Sequence, residues 1–427
     1  MVEKKAQSVG VLWLLAVVLI SLVAYGCSSA APSPTATSAP PTAAKTAVAP
    51  QATQPSAAAP AAAKPSGKPI KIGYMTPLSG RMANNGLLQQ IAAKLAVDDI
   101  NAAGGINGNP IELVTFDSPF DPQQAVTGVR KLAEQDKVFA ITGPYASAEC
   151  EAAGPIANQL QVPMISTSCA KPGVFPPNRP WAFGYVSMDE AGIPIAIDGY
   201  KKVYPNVKKM VIVGDTKEAV SENIVKNLFP KYLKEKGFEV LDTIGYETGT
   251  TDFSAIVTKI KGLNPDGIAV SDVLPVNIAK ELERQQVKLP VVTGYQVQPT
   301  PFLATVGPAG EGWVCVRYST TENTDPTFQK FLSRFNAEVQ KANIKIDQVS
   351  LEPGVYDVLT IIAETMRKNS IGPDTNLQQA RTAIRDGFTN LKDRKGLYGS
   401  VSMSSDGVTA WQTYPHLAKN GKWELIK

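Results

Sequence analysis

The chain has 427 residues, of which 44% are hydrophobic and 19% are charged, and its formal net charge is +4. This length exceeds one typical domain, and so small a net charge without a basic stripe argues against nucleic acid as a partner. The single histidine, His416, leaves nothing from which to build a histidine triad or a histidine-rich metal site. The four cysteines contain no CxxC pair, so we expect neither a metal nor another cofactor.

The first residues combine a basic start with an apolar run. Lys4 and Lys5 precede the run at 9–24, which is short for a membrane span and typical of a signal peptide. The run ends in VAYGC, and a small residue directly before a cysteine is similar to a bacterial lipobox. We therefore expect residues 1–26 to be a cleaved signal and Cys27 to carry a lipid. The alternative is an uncleaved N-terminal anchor with an incidental cysteine.

Residues 27–67 continue from this cysteine into a segment of almost only Ala, Pro, Ser and Thr, without an aromatic residue. Such a segment cannot bury enough apolar surface to fold, and its prolines keep it extended. It is predicted to be a spacer that ends where folded structure begins, near Lys68. Both features place the folded part outside the cytoplasmic membrane, where a disulfide is permitted.

The folded part opens with a strand, a helix and a second strand. The first strand, within IKIGYMTPLSG, runs into the turn at 77–80; the helix stops at Gly104-Gly105; the second strand covers 111–116. This unit predicts a parallel sheet, in which ligands bind beyond the carboxyl ends of the strands. The turn at 77–80, with Ser79, is therefore the first candidate site.

Two further strands, at 138–142 and 162–165, end in the small-residue turns GPYAS and STSCA, each directly before a predicted helix or loop. Free N–H groups at a helix start, together with serine hydroxyls, favour a bound anion or carbonyl. The alternative is that these serines are only helix N-caps. The candidate binding residues at these two strand ends are Tyr145, Ala146, Ser147, Ser168 and Ala170.

After an extended segment at 181–187, the alternation of helices and strands begins again. Strands are predicted at 209–213, 239–246, 267–271 and 290–293, with a helix before or after each. A second extended segment, at 313–319, precedes three helices without strands between them, and 400–426 is typical of hairpin strands.

This order predicts an α/β protein with two doubly wound, parallel-sheet lobes joined by a hinge. Lobe 1 is expected to comprise residues 68–188 and 319–399, and lobe 2 residues 189–318 and 400–427. Two lobes with several crossings between them form a cleft that closes around a small ligand.

Several phrases of the sequence resemble those of a known family. The phrases MTPLSG, LAVDDINAAGGINGNPIELV, DPQQAV, ITGPYAS and VPMIS are similar to the extracytoplasmic substrate-binding proteins of branched-chain amino acid ABC transporters, which have the type I periplasmic-binding-protein fold. The resemblance covers residues 68–427. It implies a monomeric receptor, not an enzyme, that captures one small molecule and delivers it to a permease and its ATPase. With the lipid on Cys27, the receptor is anchored to the outer face of the cytoplasmic membrane.

The resemblance also implies roles for single residues. Ser147 matches the serine that holds the substrate carboxylate in Leu/Ile/Val-binding relatives, and Ser168 lies in the next carboxylate-binding turn. Several family groups are replaced: a pocket-wall aromatic by Asn85, the ammonium-binding threonine by Ala170, two tyrosines by Ala219 and Leu274, and the ammonium-binding glutamate by Gln296.

These replacements weaken the ammonium half of the site and leave its carboxylate half intact. A buried ammonium needs a partner charge or costs several kcal/mol. The sequence therefore favours a ligand that has a carboxylate or carbonyl without an α-ammonium, such as an organic acid or an amide. Alternatively, Asp272 supplies a shifted negative partner and the ligand is an amino acid.

The remaining expectations concern the cysteines and two other function classes. If their strands are neighbours, Cys150 and Cys169 lie within disulfide reach at the cleft rim; otherwise both are free thiols. Cys315 is expected to be a buried free thiol. A sensor that reports ligand to a signalling partner remains an alternative, and so does an enzyme on the same scaffold. The single histidine and the lack of an activated nucleophile argue against the enzyme.

Overall fold

The computed structural model describes residues 64–298, 301–318 and 323–427. The predicted signal peptide, Cys27 and nearly all of the predicted spacer lie outside these residues. Within them, no helix is long and apolar enough to cross a membrane. Helices and strands alternate in two successive sets, so the predicted α/β class with two mostly parallel sheets is confirmed.

The bounds of the elements follow the predicted ones closely. The strands are β1 (Ile70–Thr76), β2 (Ile111–Asp117), β3 (Ile141–Thr142), β4 (Met164–Ser166), β5 (Ala182–Gly184), β6 (Lys209–Asp215), β7 (Glu239–Tyr246), β8 (Gly267–Ser271), β9 (Val291–Thr293), β10 (Trp313–Arg317), β11 (Arg394–Gly396), β12 (Gly399–Val401), β13 (Tyr414–Lys419) and β14 (Lys422–Leu425). The helices are α1 (Ala83–Ala102), α2 (Pro122–Arg130), α3 (Ser147–Gln159), α4 (Asp189–Val203), α5 (Ala219–Asn223), α6 (Phe229–Glu235), α7 (Ser254–Leu263), α8 (Val276–Arg284), α9 (Phe302–Val306), α10 (Pro326–Lys341), α11 (Glu352–Lys368) and α12 (Leu377–Thr389).

The first sheet has the order β2-β1-β3-β4-β5, and all its pairs are parallel. Strand β1 pairs with β2 on one side and β3 on the other, so the strand order reverses there and leaves a crevice at the carboxyl ends. Helices α10 and α11 pack against α1, and α12 packs against α11. We call the part of the chain built on this sheet lobe 1.

The second sheet has the order β14-β13-β10-β9-β8-β6-β7, and we call the part built on it lobe 2. Strands β6 to β10 are parallel, whereas β13 is antiparallel to β10 and forms a hairpin with β14. Its turn is at Asn420-Gly421, where both residues have positive φ, as a tight hairpin turn requires. Strands β8 and β10 are buried at every residue, because helices or other layers cover both faces of a parallel sheet.

Two contacts bear on the last passage from lobe 1 to lobe 2, which was predicted at residue 400. Val408 forms a bridge with Gly184 of β5, and Thr409 donates a backbone hydrogen bond to the Gly184 carbonyl at 2.9 Å. The chain is therefore still joined to the first sheet at Thr409. We propose that it enters lobe 2 between that residue and β13.

Candidate functional site

A pocket that is partly open to solvent lies between the carboxyl ends of the two sheets. Lobe 1 and the segment before α11 contribute Met82, Phe120, Tyr145, Ala146, Ser147, Ser168, Ala170, Ser350 and Leu351. Lobe 2 and its junction contribute Asp189, Glu218, Val220, Val273, Tyr295, Gln296 and Tyr318.

The turns after β3 and β4 line the pocket where the sequence placed the strongest candidates. Tyr145, Ala146, Ser147, Ser168 and Ala170 are all at its wall. These turns meet because β3 and β4 are neighbours in a parallel sheet, so both carboxyl ends open on the same edge.

The Ser147 hydroxyl is positioned to donate a hydrogen bond into the pocket. It is the first residue of the 13-residue helix α3, whose positive dipole end faces the cavity. Its Oγ accepts a hydrogen bond from the Lys171 backbone N–H at 3.2 Å. A hydroxyl that already accepts from a neighbour keeps its single proton for another partner. This end of the pocket suits a ligand carboxylate or carbonyl.

The first loop contributes different residues from those predicted. Ser79 is exposed, and its backbone N–H donates to Asp117 Oδ1 at 3.3 Å, which ties the loop to the end of β2. Asn85 is buried behind the wall, where its Nδ2 donates to the Tyr145 hydroxyl at 3.2 Å. Met82 of this loop lines the pocket in their place.

The turn after β6 is shifted by one residue from the predicted position. Ala219 does not line the pocket, whereas its neighbours Glu218 and Val220 do. The shift follows from a helix cap: the Glu218 carboxylate accepts from the N–H groups of Val220 at 3.1 Å and Ser221 at 2.8 Å. Because Glu218 precedes the helix, its side chain remains at the carboxyl end of the strand.

A similar shift occurs after β8, where Val273 and not Leu274 lines the pocket. Asp272 is turned away from the cavity: one carboxylate oxygen accepts from the Tyr246 hydroxyl at 2.6 Å and the other from the Leu274 N–H at 2.8 Å. Asp272 is therefore not the shifted negative partner considered from the sequence.

Two other carboxylates line the pocket, and neither was predicted from the sequence. Asp189 is the first residue of α4 and is 1% exposed, and Glu218 is 8% exposed. The Oδ2 of Asp189 has no hydrogen-bond partner among the described residues. Burial raises the pKa of both carboxyls, and the Glu218 charge raises the pKa of Asp189 further.

Among the described residues that line the pocket there is no lysine or arginine. A buried carboxylate without a partner is costly, so this end of the cavity favours a cationic group. Asp189 could have been predicted from its position, because it begins a helix directly after the chain crosses into lobe 2. The N-cap position after a strand was the signal for Glu218.

Aromatic rings form much of the remaining wall. Tyr295 and Tyr318 stack with ring centroids 4.2 Å apart, and Tyr145 packs on Phe120 at 5.6 Å. Gln296 also lines the pocket, and neither its Oε1 nor its Nε2 has a hydrogen-bond partner in the described part of the chain. An unpartnered amide in a pocket is a ready donor and acceptor for a ligand.

Two of the cysteines, Cys150 and Cys169, lie directly behind the site. Cys150 and Cys169 are joined in a disulfide, and both are fully buried in the core of lobe 1 rather than placed at the cleft rim. Cys315 is a buried free thiol. Across residues 64–298, 301–318 and 323–427, no group of three His, Cys, Asp or Glu is arranged to hold a metal ion.

Comparisons with known proteins agree with this architecture. Residues 69–416 match the model of the periplasmic binding protein family. The leucine-, isoleucine-, valine-, threonine- and alanine-binding protein of Pseudomonas aeruginosa is 25% identical over 301 residues, 70% of this chain and 78% of that protein. The Leu/Ile/Val-binding protein of Escherichia coli K12 is 29% identical over 199 residues, 46% of this chain and 53% of that protein.

Solved structures show the same fold. The branched-chain amino acid transporter substrate binding protein LivJ of Streptococcus pneumoniae, in complex with isoleucine, is 27% identical with a TM-score of 0.72 over 84% of this chain and 99% of that one. A solute binding protein of an R. palustris ABC transporter, in complex with 4-hydroxybenzoate, is 20% identical with a TM-score of 0.72 over 84% and 95%. The second similarity concerns the fold alone.

Proposed function

The chain belongs to the periplasmic binding protein family, as its sequence predicted, and we propose that it is the extracytoplasmic solute receptor of an ABC importer. It captures a small molecule between lobes 1 and 2 and delivers it to the permease. The relatives that bind amino acids support a small polar ligand for this pocket.

The ligand that fits best is a zwitterionic α-amino acid. The observation that carries this is the polarity of the pocket: Asp189 and Glu218 at one end, and the start of α3 with Ser147 at the other. An α-ammonium placed by the two carboxylates lowers the cost of their burial, while the α-carboxylate meets the helix dipole. Val220 and Val273 offer apolar surface to an aliphatic side chain.

A ligand without an α-ammonium is the second candidate. Ala170 and Gln296 line the pocket where related proteins have ammonium-binding groups, and the unpartnered Gln296 amide suits a neutral amide or acid. An anionic ligand, however, enters a cavity that contains two carboxylates and, among the described lining residues, no lysine or arginine. This like-charge contact places the amino acid first.

A thermal-shift panel tests the choice. The panel comprises L-isoleucine, L-alanine, 4-hydroxybenzoate and benzamide at 1 mM each, because a ligand at about 100 times its Kd stabilises by roughly 2.7 kcal/mol. We expect a rise in Tm with an amino acid and none with 4-hydroxybenzoate. A rise with the acid or the amide alone supports the second candidate. No rise with any compound contradicts a receptor for these classes.

We also propose that Cys27 carries the lipid anchor and that the lobes close about their connecting segments. Cys27→Ser is expected to move the protein from the membrane fraction to the soluble fraction of its bacterial host. For closure, small-angle scattering is expected to show a smaller radius of gyration with ligand than without. An unchanged distribution of Cys27→Ser between fractions contradicts the anchor, and an unchanged radius contradicts closure.

A further inference from the structure

One covalent bond joins the two lobe 1 turns that line the ligand pocket. Cys150 lies in the first turn of α3, three residues after Ser147. Cys169 stands between Ser168 and Ala170, both of which line the pocket. The Cys150–Cys169 disulfide therefore connects the helix start to the neighbouring turn directly behind the cavity wall.

A hydrogen bond continues this connection to the pocket surface. Two residues after Cys169, the Lys171 backbone N–H donates to Ser147 Oγ at 3.2 Å. With one lone pair of the oxygen occupied, the Ser147 hydroxyl keeps its proton for the cavity. The direction of this O–H bond thus depends on where the segment 168–171 is held.

The non-covalent contacts of this segment are polar and reach α3 and α4; the Ala170 carbonyl, for example, accepts from the Asp189 N–H at 3.1 Å. The Ser168 and Cys169 N–H groups donate to Ser166 Oγ at 3.2 and 3.1 Å, and both bonds stay within the turn itself. Ser166 Oγ in turn donates to the Pro144 carbonyl at 2.8 Å. The Lys171 ammonium also forms an ion pair with Glu151 of α3 at 2.6 Å. The disulfide is the one covalent connection among these contacts, and it lies nearest to the Ser168 turn.

We propose that the Cys150–Cys169 disulfide is a positioning cross-link of the ligand site. It holds the Lys171 amide against Ser147 Oγ and thereby directs the Ser147 hydroxyl at the ligand's carboxylate or carbonyl. The inference rests on the proposed function for the identity of the site, but its structural part is independent of which ligand binds. The sulfur atoms themselves are buried behind the wall and do not touch the ligand.

A purely stabilising disulfide and a positioning one differ in what their removal changes. Loss of a stabilising bond lowers Tm and leaves the Kd of the folded protein as it was. Loss of a positioning bond also weakens binding, and it does so through Ser147. A double-mutant cycle detects this dependence, because residues that act through one contact are not additive.

The first experiment measures the Kd of L-isoleucine by calorimetry on the full chain. The variants are Cys150→Ala/Cys169→Ala, Ser147→Ala and their combination. We expect the disulfide-free variant to bind about tenfold more weakly, the equivalent of one hydrogen bond. The combined variant is expected to bind no more weakly than Ser147→Ala. An unchanged Kd in the disulfide-free variant, or fully multiplicative losses in the combination, overturns the proposal.

Two controls separate positioning from stability. Ile384→Val removes a methylene from a buried residue of α12 in lobe 1, and Cys315→Ala removes the free thiol of lobe 2. Both are expected to lower Tm and keep the wild-type Kd. If Cys150→Ala/Cys169→Ala does not fold, Cys150→Ala/Cys169→Val retains more apolar volume and replaces it.

The second experiment needs no ligand. Hydrogen–deuterium exchange of the unliganded full chain is followed for the peptide that contains the Lys171 amide. We expect exchange there to be about tenfold faster without the disulfide, as for loss of one amide hydrogen bond, and unchanged for α12. Equal exchange overturns the proposal. If the wild-type protein binds none of the panel, the proposed function fails and this measurement alone decides the cross-link.

Discussion

The Nδ2 atom of Asn85 donates a hydrogen bond to the hydroxyl of Tyr145 at 3.2 Å, just behind the wall of the pocket. Both residues are buried, and Tyr145 itself is at the cavity surface. The amide therefore orients a pocket ring from α1, although it does not line the pocket. Burial raises the pKa of the Tyr145 hydroxyl above its usual value, so the group is a neutral donor and acceptor.

Asn85→Ala is expected to destabilise the protein and to weaken binding. It leaves the buried Tyr145 hydroxyl without this partner, at a cost of about 1–3 kcal/mol in the free energy of unfolding. Urea unfolding and calorimetry with the ligand measure the two effects. Thr127→Ala, on the exposed face of α2, serves as a control. Wild-type stability in Asn85→Ala contradicts the role of the hydrogen bond.

Asp189→Asn is expected to discriminate between the two ligand classes. If Asp189 faces an ammonium, the variant loses a charge-assisted contact and binds an amino acid roughly 10–100-fold more weakly. For an acid such as 4-hydroxybenzoate, removal of a like charge strengthens binding. Glu235→Gln removes an exposed charge of α6, which does not line the pocket, and is the control. Equal affinity of Asp189→Asn for the amino acid excludes this contact.

The same residue predicts how amino acid binding varies with pH. Burial, Glu218 and Glu190 raise the pKa of Asp189 in the empty pocket, in that order, so the carboxyl holds a proton more tightly than in the unfolded chain. An ammonium favours the ionised form, and Arg81 acts in the same sense on Glu218. Binding therefore releases a proton, and affinity is expected to rise with pH across the range in which Asp189 of the empty pocket titrates. In Asp189→Asn this rise is smaller; an identical profile contradicts the prediction.

Gln296→Leu is expected to raise the stability of the unliganded protein and to lower its affinity for the ligand. Neither polar atom of the Gln296 side chain has a partner in the described residues, so an apolar isostere removes an unfavourable burial. We expect the unliganded protein to gain about 1–2 kcal/mol and the ligand to bind more weakly.

Gln298→Leu provides the matched control for this substitution. Gln298 Oε1 accepts a hydrogen bond from the Tyr318 N–H at 3.0 Å, so the same change there breaks a formed contact. Chemical denaturation without ligand is expected to show opposite signs for the two variants. Destabilisation by Gln296→Leu as large as by Gln298→Leu contradicts the unpartnered state of Gln296.

Glu149 predicts a pH-dependence of stability. Burial raises the pKa of its carboxyl to about 7, although hydrogen bonds from Ala146, Ser118 and Asp121 oppose the shift. Because the folded pKa exceeds the unfolded one, the native state binds more protons between pH 4.5 and 7. This contribution to stability is complete below pH 4.5 and is lost as pH rises to about 7.

Glu149→Gln removes this titration. The difference in unfolding free energy between wild type and variant is expected to fall by about 2–3 kcal/mol from pH 4.5 to pH 7.5. Ser118→Ala removes one donor to the ionised carboxylate and is expected to shift the window upward. Parallel stability curves for wild type and Glu149→Gln contradict the raised pKa.

Digestion of the denatured, unreduced chain tests the cysteine pairing. Peptides with Cys150 and Cys169 are expected to appear as one linked species, and the Cys315 peptide as a single alkylated one. Reduction before alkylation is the control that separates the linked pair. Free alkylated Cys150 in the unreduced sample contradicts the disulfide.

The chain's own pattern was sufficient to predict the fold and the two lobe 1 turns that line the pocket. Strand and helix periodicities are local, and the alternation of the two makes parallel strands whose carboxyl ends share one edge. For this reason the turns GPYAS and STSCA indicated Ser147 and Ser168 before any contact was known. The same pattern placed the junctions of the lobes near residues 187 and 318.

Only the tertiary structure decided which side chain of each lobe 2 turn faces the cavity. A one-residue shift separates Glu218 from Ala219 and Val273 from Leu274, and turn periodicity does not resolve it. The cap made by Glu218 and the bond from Tyr246 to Asp272, 26 residues apart, settle these directions. Local sequence determines where a chain turns, whereas burial and long-range hydrogen bonds determine where a carboxylate points. In this protein the carboxylate in the pocket wall is that of Asp189 and not that of Asp272.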